Sequence, residues 1–387
     1  MGLRQSVEPL YGEGVLTSEG VNESGVPEQA ARMGPIKAQS AAVARATASI
    51  CNAEWARYGG MSGQAGFVRT FSARLRRWGP FIALLLLCVG FSLAEPRFAT
   101  LENALVIADR CAVPLILSVG MTFVVLQGSI DLSIEGVMAA SSLVLALLVV
   151  NTRSGLDLGV LGMALAMLPG LCAGLLNGAL VARWRVPSFM ATLGAWSAFL
   201  GLAMLLSGGQ PPLIRDAALR AFGLGRALGL PNLVLVALAV LALGVVLQHC
   251  TRFGRYSLAI GGGEDVARRS GVPVTRYKVL AFAFCGLLAA LGGVLESTRI
   301  GLGHVDIGLG QMFATVTAVV IGGTSLSGGR GGVLQSAVGA LMLAVLANGM
   351  IFVGISPHIQ KSVQGAIILS ASLLATWHLR SRLRIVT

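Results

Sequence analysis

Charge is scarce in this chain. Of its 387 residues 12% are charged, 55% are hydrophobic and 6% are aromatic. Soluble domains carry about a quarter charged residues, so an ordinary soluble fold is excluded. The six cysteines, Cys51, Cys88, Cys111, Cys172, Cys250 and Cys285, form no CxxC pair and have no histidine at ligand spacing. They read as small apolar fillers rather than as metal or disulfide chemistry. The four histidines, His249, His304, His358 and His378, lie far apart near the ends of apolar stretches. No HExxH, nucleophile elbow or Walker-type loop occurs, so no residue set argues for an enzyme, and ATP chemistry would have to belong to another polypeptide.

In place of those signals are ten uncharged stretches rich in Leu, Val, Ala and Gly: 78–94, 111–130, 136–152, 158–182, 186–214, 227–251, 279–295, 307–329, 331–360 and 362–379. Crossing ~30 Å of hydrocarbon takes roughly 20 apolar residues as a helix. Only helices and closed barrels satisfy their backbone in lipid, and these segments are too long and continuous for barrel strands. The expected fold class is an all-α polytopic membrane protein of about ten transmembrane helices, several short or broken. Four of the stretches are only 17 or 18 residues long, and Pro114, Pro169, Pro187 and Pro357 lie in or beside apolar stretches. Such breaks survive where neighbouring helices or a cavity satisfy the freed backbone. Small residues such as Gly286, Ala289, Ala290, Gly292 and Gly293 permit close helix contact.

The net charge of +12 does not indicate nucleic acid, because the arginines cluster at the ends of the stretches. Arg69, Arg74, Arg76 and Arg77 precede the first, Arg183 and Arg185 follow the fourth, and Arg380, Arg382 and Arg384 close the chain. The loop 251–278, between the sixth and seventh, holds Arg252, Arg255, Arg268, Arg269, Arg276 and Lys278. Basic residues accumulate on the cytoplasmic side of membranes. An even number of spans with both termini inside places every cluster there.

Three parts are expected: a polar, disordered cytoplasmic tail over 1–66, a transmembrane domain over 67–380, and a basic cytoplasmic C-terminus over 381–387. The tail lacks apolar periodicity, and no apolar core follows a basic start near Met1. A second reading has translation begin at Met33 or Met61. Intact mass of the natively expressed protein separates the two, because a chain starting at Met1 rules out the late start.

Within the domain, Asp131 stands in QGSIDLSIEG between the second and third stretches. It reads either as a capping residue, with Ser133, for the next helix, whose dipole Glu135 complements, or as a contact in a transport or gating site. The glycine-dense Ile321–Gly332 segment, which includes Thr324, lacks a phosphate loop's Gly-Lys-Ser/Thr ending and reads as a tight turn. In the long loop, Glu264 and Asp265 followed by Arg268 and Arg269 suit a short helix that Gly271 ends and Pro273 stops from continuing. That helix is either a docking element or a solvated connector.

Four stretches in order carry a family resemblance. They are GSIDLS at Gly128–Ser133, the Gly174–Pro211 segment with its Asn-Gly, Pro-x-x-x-x-Thr-Leu-Gly and Gly-Gly-Gln-Pro, the loop TRFGRYSLAIGGGEDVARRSGV, and AVVIGGTSLSGGRGG at Ala318–Gly332. Over roughly Trp78–Thr376 the chain resembles permease subunits of the ribose/xylose/galactoside branch of bacterial ABC importers, whose fold is the type II importer permease. The resemblance implies a multi-pass inner-membrane protein working by alternating access. Its partners would be a second permease copy, homologous or identical, a cytoplasmic ATPase and a periplasmic sugar-binding protein. No cofactor is implied on this chain, since ATP-Mg would sit on the ATPase. Ser129, Asp131, Ser133, Asn177, Thr192 and Thr324 fall in motifs placed along or near the pathway. Gly261, Gly262, Glu264, Asp265, Arg268, Ser270 and Gly271 fall in the coupling segment. Two departures stand out. Ser129 replaces the second Gly of Gly-Gly-Ile-Asp, and Met312-Phe313-Ala314 stands where many relatives have Glu-Leu-Asp, removing two carboxylates. An ion-coupled secondary carrier and an ABC permease for a branched-chain amino acid are the alternatives. The carrier would need ionisable groups at mid-membrane, and the sequence pattern places charges at the edges of the stretches.

Overall fold

The computed structural model describes residues 64–356, with 359–360, 362–363 and 365–366, and side chains from residue 79 onward. The expected tail, the candidate starts Met33 and Met61, Pro357, the basic C-terminus and most of the stretch 362–379 lie outside the described residues. The chain divides into Met1–Arg74 and Leu75–Thr387, and everything below concerns the second unit.

Its helices are α1 (Gln64–Ala94), α2 (Leu101–Leu126), α3 (Ile134–Leu148), α4 (Gly159–Leu165), α5 (Leu168–Ala182), α6 (Ser188–Ser207) and α7 (Ala217–Leu224). They continue as α8 (Asn232–Cys250), α9 (Arg252–Gly262), α10 (Glu264–Arg269), α11 (Val274–Ile300), α12 (Gln311–Ile321) and α13 (Val333–Phe352). Among the described residues six segments are long and apolar enough to cross a membrane: α2, α4 with α5, α6, α8, α11 and α13. Gly79–Ala94, α3 and α12 are shorter apolar helices. The all-α expectation holds apart from a two-residue hairpin, Arg226–Ala227 paired with Leu230–Pro231. Its turn residues Leu228 and Gly229 both have positive φ, as a tight hairpin turn requires.

Local sequence explains several ends. Thr100 caps α2 by accepting from Asn103 N–H, and Asp216 caps α7 through Ala218 and Leu219. Pro169 sits in the first turn of α5, where its missing N–H costs nothing. Pro114 lies inside α2.

The core is built around α2 and α11, the most buried of the candidate spans. α11 packs against α2, α3 and α5, and α2 against α8 and α13. Glycine sets the closest approach. Gly170, Gly174 and Gly178 of α5 face Gly286, Phe282 and Val279 of α11, and a Cβ added to Gly170 or Gly286 would run into the other's carbonyl oxygen. Gly293 lies in the same way against the backbone of Met138 in α3. The spacing of four along α5 is the small-residue pattern that brings helices into backbone contact. Gly286→Leu should therefore destabilise the bundle by about 1–3 kcal/mol or more, while Gly194→Ala, which meets open space, should be neutral. Thermal unfolding of both variants in detergent checks this, and equal midpoints would refute the seam.

Candidate functional site

Among the described residues two short apolar helices, α3 and α12, each follow a non-helical segment, and these breaks meet. Helix α3 has 15 residues and α12 has 11, about 22 Å and 16 Å at 1.5 Å per residue, both short of a ~30 Å hydrocarbon layer. Before α3 the segment Gly128–Ser133 runs without helix from the end of α2. Gln127, at its foot, donates to Ser257 Oγ (2.9 Å) and to the Tyr277 carbonyl near the start of α11. Asp131, at its top, lies beside the Cys285 thiol, about halfway along α11. Before α12, Gly301–Gly310 descends antiparallel to α3. Gly303 lies at Ala146 and Ser142, and Gly308 at Met138 and Glu135. The N-termini of α3 and α12 therefore meet. Glu135 joins them, its Oε1 accepting from the N–H of Gly310 (2.8 Å) and Met312 (3.3 Å). It was expected to serve its own helix dipole, and it also caps a second helix.

Asp131 is fully buried. Its Oδ1 accepts from the Ser133 N–H (2.9 Å) and Oγ (2.6 Å). Asn177 of α5 donates to Ser133 Oγ at 3.0 Å. Three of the expected pathway residues thus form one connected cluster, tying the break in the third span to α5. Asp131 performs the capping role, since Ser133 occupies the cap position without a side-chain cap bond of its own. Asn177 Oδ1 is buried without a hydrogen-bond partner, and the Cys285 thiol is the further partner of the Asp131 carboxyl, so polar capacity is left over at Asn177. Asp131 and Glu135, which fall between two apolar stretches in the sequence, are both buried here. Both lie close to the start of α3.

Thr192 is buried in α6, where its hydroxyl donates to the Ser188 carbonyl (2.8 Å). It joins neither cluster through any hydrogen bond. Ser188 Oγ instead accepts from the Ile130 N–H (3.3 Å), holding the Gly128–Ser133 segment. Thr324 belongs to a second cluster. Its Oγ1 lies 3.2 Å from Ser336 Oγ and accepts from the Gly332 N–H, while Thr122 Oγ1 donates to Ser336 Oγ at 2.7 Å. This chain links the turn after α12 to α2 and α13. Ile321–Gly332 is the tight turn expected, and it packs on its own glycines: Gly329 N–H donates to the Leu126 carbonyl (2.9 Å), and Gly128 lies against Ser327.

The loop 251–278 folds into α9 and α10. Residues Glu264–Arg269 form the short helix, followed by Gly271 at φ 81° and then Pro273. Glu264 Oε2 pairs with Lys278 Nζ (2.6 Å) and its Oε1 with Arg268 (2.8 Å), fastening α10 to the start of α11. Partial burial pushes the Glu264 carboxyl up, but hydrogen bonds and charge from Lys278 and then Arg268 outweigh it and leave its pKa below the usual carboxylate value. A lowered folded-state pKa stabilises the anchorage above the ordinary carboxylate range and loses it only as pH falls through the lower value. Ala267 turns inward, whereas Asp265, Val266, Arg269 and Ser270 are exposed. Gly262 meets open space, but Gly261 does not. A Cβ there would strike the Leu126 carbonyl and Gly329 N–H, so this residue keys the loop into the bundle. A cavity of about 450 Å³ separates α10 from the break in the third span, lined among others by Ser129, Arg185, Ser188, Glu264, Asp265 and Lys278.

Sequence reasoning missed four contributors: Gln127, Ser188, Lys278 and Val266. Lys278 was read only as one of a run of basic residues. Val266, 71% exposed, is an apolar residue on the free face of a charged helix, and that was its only visible signal.

Broken helices with capped breaks, a buried polar core and a surface helix keyed into them define a membrane permease. The chain belongs to the family described as branched-chain amino acid transport system / permease component, which it matches over residues 103–372. It is similar to the ribose import permease protein RbsC of Escherichia coli K12, 37% identical over 298 residues, 76% of this chain and 91% of that one. RbsC of Bacillus subtilis 168 is 36% identical over 306 residues, 79% and 94% of the two chains. The L-arabinose transport system permease protein AraH of Escherichia coli K12 is 31% identical over 295 residues, 76% and 89%. No solved structure matches the chain.

Asp131→Ala should leave the Ser133 N–H and hydroxyl unsatisfied in the interior, at a cost of about 1–3 kcal/mol. Asp131→Asn, which keeps shape and an acceptor oxygen, should cost less. Equal losses of thermal stability in detergent would show that Asp131 does not cap the break.

Proposed function

We propose that this protein is the membrane-spanning permease subunit of an ATP-driven importer for a monosaccharide or a related polyol. It is not itself an enzyme. The relatives named above support the sugar class, since they are ribose and arabinose permeases although the family description names amino acids. In this reading the chain makes ten spans in the inner membrane, with both termini and the loop 251–278 in the cytoplasm, where its basic residues belong. A second permease copy completes the pathway. A separate ATPase binds ATP-Mg, and a periplasmic sugar-binding protein delivers substrate to the opposite face.

The observation that carries the coupling mechanism is the attachment of α10. Its exposed face of Asp265, Val266, Arg269 and Ser270 is free for a partner. Its base is fixed to α11 by Glu264–Lys278 and, through Gly261, to the ends of α2 and of the turn after α12. A push on α10 therefore reaches both broken spans within one or two contacts. Alternating access follows if ATP-driven closure of the partner moves α10 and the breaks change facing. No proton transfer by this chain is needed. Buried Asp131 is the residue that an ion-coupled carrier would use, but it already serves the α3 break, and the relatives are import permeases.

Reversing Glu264 and Asp265 to Lys, or replacing Gly271 at φ 81° by Val, should abolish substrate-stimulated ATP turnover while membrane insertion persists. The reconstituted complex provides the assay. Normal coupled turnover in these variants would sink the role given to α10.

A further inference from the structure

At the end of the bundle away from α10 a second cavity, of about 430 Å³, opens between α2, α11 and the descending segment Gly301–Gly310. Its size falls within the roughly 300–1,000 Å³ of small-molecule sites. Val113 and Met138 form apolar wall, and Glu296, His304, Asp306 and Gln311 supply polar groups. The cavity runs from the outer end of α11 down to the N-terminus of α12, the point where the two broken spans meet.

The polar groups have a definite balance. Arg299 is shared between Glu296 (2.6 Å) and Asp109 (3.4 Å), so one guanidinium faces two carboxylates. Asp306 faces only His304, 3.4 Å from its Nδ1. His304 Nδ1 accepts the Asp306 N–H at 3.1 Å, which leaves the proton of the neutral ring on Nε2, as a donor. Gln311 Oε1 is buried with no hydrogen-bond partner, so its amide is an acceptor still to be satisfied. The wall is therefore rich in acceptors, has a few neutral donors and carries excess negative charge.

We propose that this cavity is the entry site for the transported solute, and that it selects neutral, polyhydroxylated molecules while rejecting those bearing a carboxylate or phosphate. The proposal rests on the importer reading above. Hydroxyl groups both donate and accept, so they satisfy the carboxylates and Gln311 Oε1 while accepting from His304 Nε2–H. An anionic group would meet Glu296 and Asp306 in the wall, and with Asp109 behind them the three carboxylates outnumber the two neighbouring arginines, Arg299 and Arg220. Sugar held here lies directly over the α12 N-terminus, and a displacement of that helix would pass it toward the opposite face.

The test uses the full transporter, permease with its ATPase and binding protein, in proteoliposomes. Leu309, a lining residue, is replaced by Cys, and its reaction with a membrane-impermeant methanethiosulfonate is timed against the parent background. D-ribose, L-arabinose, D-xylose, D-galactose and myo-inositol serve as neutral probes, and ribose 5-phosphate and leucine as charged ones. Labelling should be slowed by the neutral solute that the transporter imports, and not by ribose 5-phosphate. Gln311→Leu should raise the KM for that solute about tenfold, the worth of one lost hydrogen bond, with a smaller effect on kcat. Import without any protection of Leu309→Cys overturns the cavity as the site and leaves the importer reading standing. Equal protection by ribose 5-phosphate overturns the charge selection. Import of leucine but of no neutral probe overturns the sugar reading itself, and with it the class assigned to the cavity.

Discussion

A backbone that stops being helical inside a membrane must find partners for its freed N–H groups, and the rest of this architecture depends on how that is met. Two carboxylates do most of it. Asp131 receives the Ser133 N–H at the start of α3, and Glu135 receives the Gly310 and Met312 N–H groups at the start of α12. Each carboxyl lies at the N-terminal end of a helix. Because Glu135 belongs to one broken span and caps the other, the two breaks are a single unit. The polar interior of the protein is thus a consequence of breaking two helices, and the space the breaks leave is what a solute can occupy.

A second knot, made of glycines, joins this unit to the opposite surface. Leu126 at the end of α2, Gly261 at the end of α9 and Gly328–Gly329 in the turn after α12 touch through backbone atoms. Side chains are absent from the contact, so its geometry is fixed by main-chain distances. The salt bridge from Glu264 to Lys278 does the complementary task, fastening α10 to α11. Of the residues read as coupling determinants, Gly261 and Glu264 therefore face the protein's own bundle, whereas Asp265 and Ser270 face outward.

Much of this was legible in advance, for identifiable reasons. Hydrocarbon thickness imposes long apolar runs, so the spans announced themselves. Glu264, Asp265, Arg268, Arg269, Gly271 and Pro273 obey local rules of dipole and capping, and α10 appeared where they predicted. The Ile321–Gly332 turn followed from its glycine density. What stayed hidden was long-range pairing. Asn177 and Ser133 are 44 residues apart and Glu135 and Gly310 are 175, and no local pattern encodes either contact. Thr192 lies within a telling motif, and its hydroxyl bonds within its own helix. The burial of Asp131 was hidden because hydropathy registers a stretch as interrupted without revealing where the interruption folds back.

The glycine face between α5 and α11 has one more consequence. Most helix pairs interlock, with each side chain seated in a hollow of its neighbour, and displacement along the axis means climbing out of one hollow into the next. Gly170, Gly174 and Gly178 present no such teeth to Gly286, Phe282 and Val279. A smooth track of this kind resists separation, since the backbones are already in contact, but offers little corrugation against sliding. A seam this tight is therefore also one along which a helix can glide at little cost.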